Sequence, residues 1–206
     1  GVAPPEIFVA SREPEIVRRA ARGGHTPFIG FGHRGLETAR AARAGLEALW
    51  VEGGGDPAEM PLAVQRFVYV TEDRAQAELA AACVRDFARA YVTLGGAALD
   101  KDGAFVRLMP LNDEPPLDDF LEKAVIGPAD HCAEMLATEL AALRPSHLCC
   151  MMGLAGIGRQ ETLASLERFG TEVLPQLAPL VDAGEDAPAP SVRAAGPAPA
   201  LAPWRS

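Results

Sequence analysis

The sequence has no excess of positive charge, no long apolar run and few cysteines, and each absence removes a class of function. Its 206 residues contain 28 Asp and Glu against 19 Lys and Arg, for a formal net charge of -9, which disfavours a nucleic-acid partner because a phosphate backbone attracts basic proteins. No apolar stretch approaches the roughly 20 residues that span a bilayer, and the pattern of the first residues does not predict a signal peptide. Four cysteines without the spacing of a disulfide framework favour reduced thiols and a cytoplasmic location.

Enough apolar residues are present for a buried core, and they fall into alternating strand and helix patterns. Hydrophobic residues make up 49% of the chain. Short apolar runs predict strands, and helical spacing predicts helices between them. The predicted strands cover residues 6–11, 26–31, 63–71 and 147–152, and the predicted helices cover 14–22, 36–52, 73–93, 116–124, 128–143 and 159–177. Repeated strand–helix units indicate an α/β fold with a parallel sheet.

The last part of the chain differs in composition from the rest. Ala and Pro supply 15 of the 29 residues from 178 to 206, so this segment has little apolar surface to bury and is predicted to be a disordered tail. Residues 1–177 then form the folded domain. The chain also begins with Gly instead of Met, which predicts a processed protein or a fragment.

Three glycines follow the second predicted strand, in the order Gly30-Phe31-Gly32-His33-Arg34-Gly35. A G-x-G-x-x-G sequence between a strand and a helix is typical of dinucleotide-binding folds, and Glu52 lies near the expected position of a ribose-binding acid. Such a fold would need residues 46–51 to form a strand, but their apolar residues keep the helical period. A tight strand-to-helix turn is therefore favoured, and an NAD(P)-binding Rossmann-type oxidoreductase is the alternative.

A second candidate site lies where the first predicted strand meets its helix. The strand ends at Ser11 and the helix begins at Pro14, so unpaired backbone N–H groups and the positive end of the helix dipole face the end of the strand. Ser11 adds a hydroxyl, and Arg12 adds a guanidinium that can donate two hydrogen bonds to a phosphate. The nearby Glu13 and Glu15 weaken this attraction unless they point away. An ordinary helix start with a surface arginine is the alternative.

Histidines and cysteines occur in two short groups, His131-Cys132 and His147-Leu148-Cys149-Cys150. Adjacent residues on a strand point to opposite faces, so Cys149 and Cys150 do not converge on one metal ion, and Cys132 lies on an apolar helix stripe. Buried free cysteines are favoured, and no metal site is predicted. His33 follows the second strand at the end where α/β proteins place ligand groups; a surface loop histidine is the alternative.

Several stretches, in their order along the chain, resemble the second half of the bacterial luciferase-like flavin-dependent monooxygenases. They are EIFVASREPEIVRRAARGG, TPFIGFGH, GGGDPAEMPLAVQRFVYVTED, VIGPADHCAEMLATEL, HLCCMMGLAG and RQETLASLERFGTEVLPQL, and they cover about residues 6–177. The most specific part runs from Leu163 to Pro175, after the last glycine turn. The resemblance implies a (β/α)8 TIM barrel in which the four predicted strands are strands five to eight, with an insertion before the last strand.

The resemblance also implies a chemistry. In this family reduced FMN, supplied by a separate flavin reductase, reacts with O2 and oxygenates an organic substrate, while the protein holds the flavin and excludes water. The loop after strand five helps to anchor the flavin phosphate and corresponds here to Ser11 and Arg12, whereas Gly30, Phe31 and His33 belong to the rim after strand six. Some relatives instead use the deazaflavin F420 for hydride transfer, which is a further alternative.

Two departures from the family pattern limit what the chain can do by itself. The family's catalytic histidine or cysteine comes from the first four strands, so the catalytic residues are unknown, and the chain alone is expected to be inactive and to aggregate or dimerise. Glu15 stands where relatives can carry a hydroxyl. Relatives are often homodimers, which is expected of the full-length protein by analogy. Apolar residues of the insertion at 94–115 are predicted to close over a ligand, namely Phe105, Leu108 and Met109.

Overall fold

Short strands alternate with helices in residues 5–95 and 101–185, which the computed structural model describes. The strands are β1 (Phe8–Val9), β2 (Thr26–Gly30), β3 (Ala63–Val70), β4 (Lys101–Asp102), β5 (Phe105–Val106), β6 (Val125–Gly127) and β7 (His147–Met151). The helices are α1 (Pro14–Gly23), α2 (Leu36–Glu52), α3 (Arg74–Gly95), α4 (Leu117–Lys123), α5 (Ala129–Leu143), α6 (Arg159–Arg168) and α7 (Leu174–Glu185). A 3-10 turn lies at Pro57–Glu59, and a π-helical turn at Phe169–Val173 joins α6 to α7.

Four of the strands lie side by side in one parallel sheet, in the order β1, β2, β3, β7. The short β6 pairs in parallel with the second half of β3, where Val68 lies opposite Val125. The remaining strands, β4 and β5, form an antiparallel hairpin inside the insertion. The predicted α/β fold with a parallel sheet is therefore confirmed.

The sheet is strongly curved. In a flat sheet, strands about 4.8 Å apart would place β1 and β7 roughly 14 Å from each other with their side chains parallel. Instead, the rings of Phe8 on β1 and His147 on β7 lie 5.1 Å apart. Glu6, just before β1, approaches the His147 ring nitrogen Nε2 at 3.5 Å. The face that carries Phe8 and His147 is therefore concave.

Most helices cover the opposite, convex face. Two clusters of buried apolar side chains lie there, one against α1 and α2 and one against α5 and the π-helical turn. β3 contributes alternate residues to them, Val64 to the first and Val68 and Val70 to the second. This alternation is what a strand with helices on one side requires. Its effect is to leave the odd-numbered residues of β3 on the concave face.

The longest helix, α3, packs on the other side of the sheet. Its residues Ala77, Ala80 and Val84 form a buried cluster with Phe67 and Tyr69 of β3, and α4 belongs to the same cluster. These two helices cover the concave face near the carboxyl ends of the strands, and they leave its other half open, where Phe8 is 43% exposed. In the described residues, no helix combines the length and the apolarity that a membrane crossing demands.

The structure differs from the predicted elements in several places, including the following three. β1 spans Phe8–Val9 only, instead of residues 6–11. β6 was not predicted, because three residues between two helices carry too little pattern to identify a strand. α7 continues to Glu185, beyond the predicted start of the tail at residue 178. The rest of that predicted tail, residues 186–206, lies outside the described residues.

Candidate functional site

The carboxyl ends of the four main strands meet at one edge of the sheet, because the strands all run parallel. Phe8 pairs with Thr26 and Val9 with Pro27. The same register, if continued beyond Val9, would place Arg12 level with Gly30, the last residue of β2. The structure therefore brings the two predicted regions, the start of α1 and the glycine-rich loop, to neighbouring positions on the same edge.

The start of α1 presents groups that can hold an anion. The Ser11 hydroxyl accepts a hydrogen bond from the Glu13 N–H at 3.1 Å, so its own hydrogen can be donated elsewhere. Arg12 is exposed and makes no ion pair with any described residue. The helix has no side-chain cap, and Pro14 occupies its first position. The backbone N–H groups that follow Pro14 are therefore open to a ligand.

Of the two acidic residues that weaken this site in the sequence, Glu13 and Glu15, the second is neutralised by its neighbours. Glu15 accepts hydrogen bonds from Arg19 at 3.3 Å and from Arg22 at 3.1 Å, both along the side of α1. Arg18 lies 3.8 Å from the same carboxylate. Three guanidinium groups around one carboxylate cancel most of its repulsion towards an anion at the helix start.

The β2–α2 loop, residues 31–35, is a tight turn whose shape depends on glycine. Gly32 has a φ of +52°, and a Cβ atom added to it would lie 3.3 Å from the Phe67 ring. Arg34 N–H donates to the Phe31 carbonyl at 2.7 Å, which closes the turn. The Phe31 side chain is only 2% exposed and packs in the core on the convex face. Any contact of Phe31 with a ligand would therefore come from its backbone.

His33 projects from this loop onto α4. Its ring lies 4.5 Å from the ring of Phe120, at an interplanar angle of 33°. Partial burial lowers the pKa of His33 below its usual value, and the positive charges of Arg34, Lys123 and Arg66 lower it further. A neutral imidazole is therefore favoured near pH 7, and such a ring can either donate or accept a hydrogen bond.

The dinucleotide alternative does not fit the structure. It needs a strand at residues 46–51, but these residues belong to α2. A helix of 17 residues is about 26 Å long, so Glu52 at its far end is remote from the glycine loop. The Glu52 carboxylate instead accepts two hydrogen bonds from Arg18, at 2.6 and 2.9 Å.

The cysteines are all free. Cys150 faces the convex side and Cys149 is exposed on the concave side, as their adjacent positions on a strand predict. Burial raises the pKa of Cys132 to about 12 and that of Cys150 to about 11, so both thiols stay protonated at neutral pH. Within residues 5–95 and 101–185, no three His, Cys, Asp or Glu side chains are grouped to hold a metal ion.

A buried arginine that the sequence does not predict lies beneath the candidate loop. Arg66 on β3 has no solvent exposure, and its Nε donates to the Glu139 carboxylate of α5 at 2.9 Å. The guanidinium also donates to the carbonyl oxygens of Gly32 and Lys123. The available signals were an arginine inside an apolar strand and a glutamate on the apolar stripe of a helix, where Leu136 and Leu143 are its buried neighbours.

Two open clefts lie next to this edge. The larger, of about 550 Å³, lies between the starts of α3 and α5 and is lined by both acidic and basic side chains, including Glu72, Asp73 and Arg74. The smaller, of about 380 Å³, is lined by Gly35 of the candidate loop and by Lys123 and Glu139 among others. The residues predicted to contact a cofactor are absent from the lining of both clefts.

Comparisons with known proteins identify relatives of this fold. An uncharacterised protein, y4vJ, of Sinorhizobium fredii is 24% identical over 176 residues, which are 83% of this chain and 49% of that protein. The oxygenating constituent of 3,6-diketocamphane monooxygenase from Pseudomonas putida, a type II Baeyer–Villiger monooxygenase solved with FMN, superimposes with a TM-score of 0.55 at 19% identity, over 84% of this chain and 49% of that one. An F420-dependent secondary alcohol dehydrogenase gives a TM-score of 0.52 at 15% identity, over 85% and 49%.

All three matches are limited to part of the matched protein. The chain spans about half the length of the proteins that it matches. Residues 1–147 match the family model described as luciferase-like monooxygenase, which confirms the resemblance seen in the sequence. The chain belongs to the luciferase-like monooxygenase family.

Proposed function

We propose that this chain forms strands five to eight of a (β/α)8 barrel, with an insertion before the last strand. We further propose that the complete barrel is a flavin-dependent monooxygenase, which oxygenates an organic substrate with O2. The observation that carries the proposal is the curvature of the parallel sheet, which brings Phe8 and His147 within 5.1 Å across the concave face. Four strands with this curvature are half of a closed ring, because eight tilted parallel strands close a barrel.

The open parts of the sheet support completion by further units. In the described residues, β1 pairs only with β2 and β7 only with β3. Parallel sheets are normally covered on both faces and paired at their edges. On the concave face, however, Phe8 is 43% exposed. Four additional strand–helix units would pair with both edges and enclose this surface.

The start of α1 suits the phosphate of FMN. Arg12 offers a guanidinium that is exposed and without a described ion-pair partner, and Ser11 offers a hydroxyl. The uncapped N–H groups of α1 add two donors and the positive end of the helix dipole. The charge of Glu15 is balanced by its arginine neighbours. Reduced FMN, when bound, would supply the electrons that activate O2.

The β2–α2 loop would form part of the flavin rim beside this phosphate site. Gly30 and Gly32 allow the backbone to approach a ligand closely, and the loop holds His33 as a neutral donor or acceptor at the edge. Phe31 would act through its backbone, since its ring is buried. The insertion residues predicted to close over the substrate, Phe105, Leu108 and Met109, are at least 43% exposed and are available for that contact.

An F420-dependent oxidoreductase is the second candidate, because an F420-dependent dehydrogenase shares this fold at a similar TM-score. F420 also carries a phosphate, which the same anion site would accept. For the complete protein, we further propose a separate flavin reductase as partner, a homodimeric assembly and a cytoplasmic location consistent with free thiols.

The anion site can be tested by its preference for a phosphate. In the complete barrel protein, Arg12→Gln is expected to raise the dissociation constant of FMN by about 10-fold or more, since a hydrogen bond to a charged group contributes roughly 1.5–3 kcal/mol. Riboflavin, which lacks the phosphate, should bind both forms equally. Fluorescence titration measures the dissociation constants of both ligands. A separate measurement of oxygen uptake, with reduced FMN or with reduced F420, distinguishes the two candidate cofactors.

Arg144→Gln is the matched control, because Arg144 is also exposed and carries the same charge, but it follows the C-terminal end of α5, next to the start of β7 and so at the opposite edge of the sheet. This variant should bind FMN as the wild type does. An equal loss of riboflavin and FMN affinity in Arg12→Gln would contradict the phosphate role. Failure of the wild-type barrel to bind either FMN or F420 would contradict the proposed function as a whole.

A further inference from the structure

Arg66 is an unusual residue for its place in the fold. It lies on the convex face of β3 between Val64 and Val68, in the layer where helices pack on the sheet, and has no solvent exposure. Burying a charged side chain is costly unless every polar atom finds a partner. A hydrophobic residue at this position would pack against the same helices without that cost, so stability alone does not explain an arginine here.

Four groups surround the guanidinium. Nε and Nη2 each lie 2.9 Å from an oxygen of the Glu139 carboxylate. Nη1 donates to the Gly32 carbonyl, and Nη2 also donates to the Lys123 carbonyl at 2.5 Å. The ring of Phe31 lies 4.2 Å from the guanidinium carbon Cζ, at a distance that suits a cation–π contact. Glu139 thus balances the charge, and the two carbonyl groups accept two of the three remaining N–H donors.

Each of these two carbonyl groups lies close in the chain to one of two residues whose rings pack against each other. Gly32 immediately precedes His33 in the β2–α2 loop, and Lys123 ends α4, the helix that carries Phe120. His33 and Phe120 are the residues whose rings pack at 4.5 Å. One guanidinium therefore holds the loop on one side of this ring contact and the end of the helix on the other side.

We propose that Arg66 is a positioning residue that fixes the β2–α2 loop, and with it His33, at the cofactor edge of the sheet. The inference rests on the proposed function for the identity of the ligand, but the positioning itself is a property of this chain. Gly32 is in the left-handed region, with a φ of +52°, and within the described residues its carbonyl accepts a hydrogen bond from Arg66 alone. Without Arg66, the Gly32 carbonyl would lose the donor that fixes its direction.

The test removes the guanidinium without leaving a buried charge. In the complete barrel protein, Arg66→Met combined with Glu139→Leu replaces the ion pair by apolar side chains, an exchange that proteins often tolerate. We expect a folded protein in which the backbone amides of residues 32–35 exchange hydrogen at least about 10-fold faster, and in which FMN binds at least about 10-fold more weakly. Mass spectrometry of exchanged peptides and fluorescence titration measure the two effects.

A matched control is the pair Arg18 and Glu52, which also joins two elements through hydrogen bonds of 2.6 and 2.9 Å. Arg18→Met with Glu52→Leu should leave hydrogen exchange at residues 32–35 unchanged. If the Arg66 double variant does not fold, Arg66→Lys provides the same test, because an ammonium group can pair with Glu139 but cannot reach both carbonyl groups in the geometry of the planar guanidinium.

The outcomes separate this inference from the proposed function. Unchanged exchange at residues 32–35 in a folded variant would overturn the positioning role, even if FMN binds the wild type. Faster exchange in the variant together with weaker FMN binding supports it. A wild-type barrel that binds no flavin or deazaflavin would refute the proposed function, whereas the exchange measurement would still decide the role of Arg66.

Discussion

Gly32 is the residue whose substitution tests the shape of the candidate loop most directly. Its φ of +52° disfavours any residue with a Cβ, and that atom would lie 3.3 Å from the Phe67 ring. We expect Gly32→Ala to destabilise the protein by about 1–2 kcal/mol, the usual cost of the left-handed conformation for an alanine. Chemical denaturation of the wild type and the variant measures the difference.

Gly45→Ala is a control for which the opposite change in stability is expected. Gly45 lies exposed in the middle of α2, and a Cβ built on it meets nothing within 4 Å. Gly45→Ala should stabilise the protein by up to about 1 kcal/mol, because alanine is the better helix former. Equal effects of the two substitutions would show that the conformation of Gly32 is not what makes glycine necessary there.

Local sequence patterns predict some residues of the candidate site and cannot predict others. Ser11 and Arg12 are predicted from a few consecutive residues, because a strand end followed by a helix start is a typical anion site. Arg66 and Glu139 contact each other although they lie 73 positions apart in the chain. No local pattern reveals such a pair, because its partners are set by how β3 and α5 pack.

At the scale of elements, an ion pair fastens α3 to the insertion. Arg89 of α3 donates to both oxygens of Glu114, at 2.5 and 2.6 Å, and Glu114 also accepts from the Leu111 N–H. The hydrogen bonds from Arg89 are the main reason that the pKa of Glu114 falls to about 2. Since the folded-state pKa lies below the unfolded one, this contact stabilises the fold above about pH 4.5, and its contribution is lost as the pH falls towards 2.

Glu114→Gln should therefore destabilise the protein at neutral pH, and the difference from the wild type should shrink below about pH 4.5. Denaturation curves recorded from pH 7 downwards measure it. Glu78→Gln serves as the control, because Glu78 pairs with Arg74 on the exposed side of the same helix, where such pairs contribute little. A pH-independent difference between wild type and Glu114→Gln would refute the linkage.

Elements with a long periodic pattern were predicted well, and those shaped by context were not. α2 runs over Leu36–Glu52, as its apolar spacing predicts. The end of α6 was not predicted, because a π-helical turn at Phe169–Val173 separates α6 from a second helix, α7. Pro175 has no N–H to offer the carbonyl four residues before it, and the wider turn lies where that bond is missing. The helix then continues through Pro179.

At the scale of the whole molecule, the alternating pattern predicts a parallel sheet but not how it bends or which face each helix covers. β3 is apolar on both faces, which is typical of strands in parallel sheets. This property allows α3 to pack on the concave side, near the carboxyl ends, while the other long helices pack on the convex side. The choice depends on Phe67 and Tyr69 together with partners far along the chain.

The exposed Cys149 makes the concave face accessible to a chemical reporter. The chain by itself should react with a maleimide at Cys149 and not at Cys132, which is buried. In the complete barrel protein, Cys149 would face the enclosed interior and should react far more slowly, as mass spectrometry of labelled peptides would show. Equal labelling in both forms would contradict the half-barrel. The rate of alkylation at Cys149 therefore reports whether the ring of strands is closed.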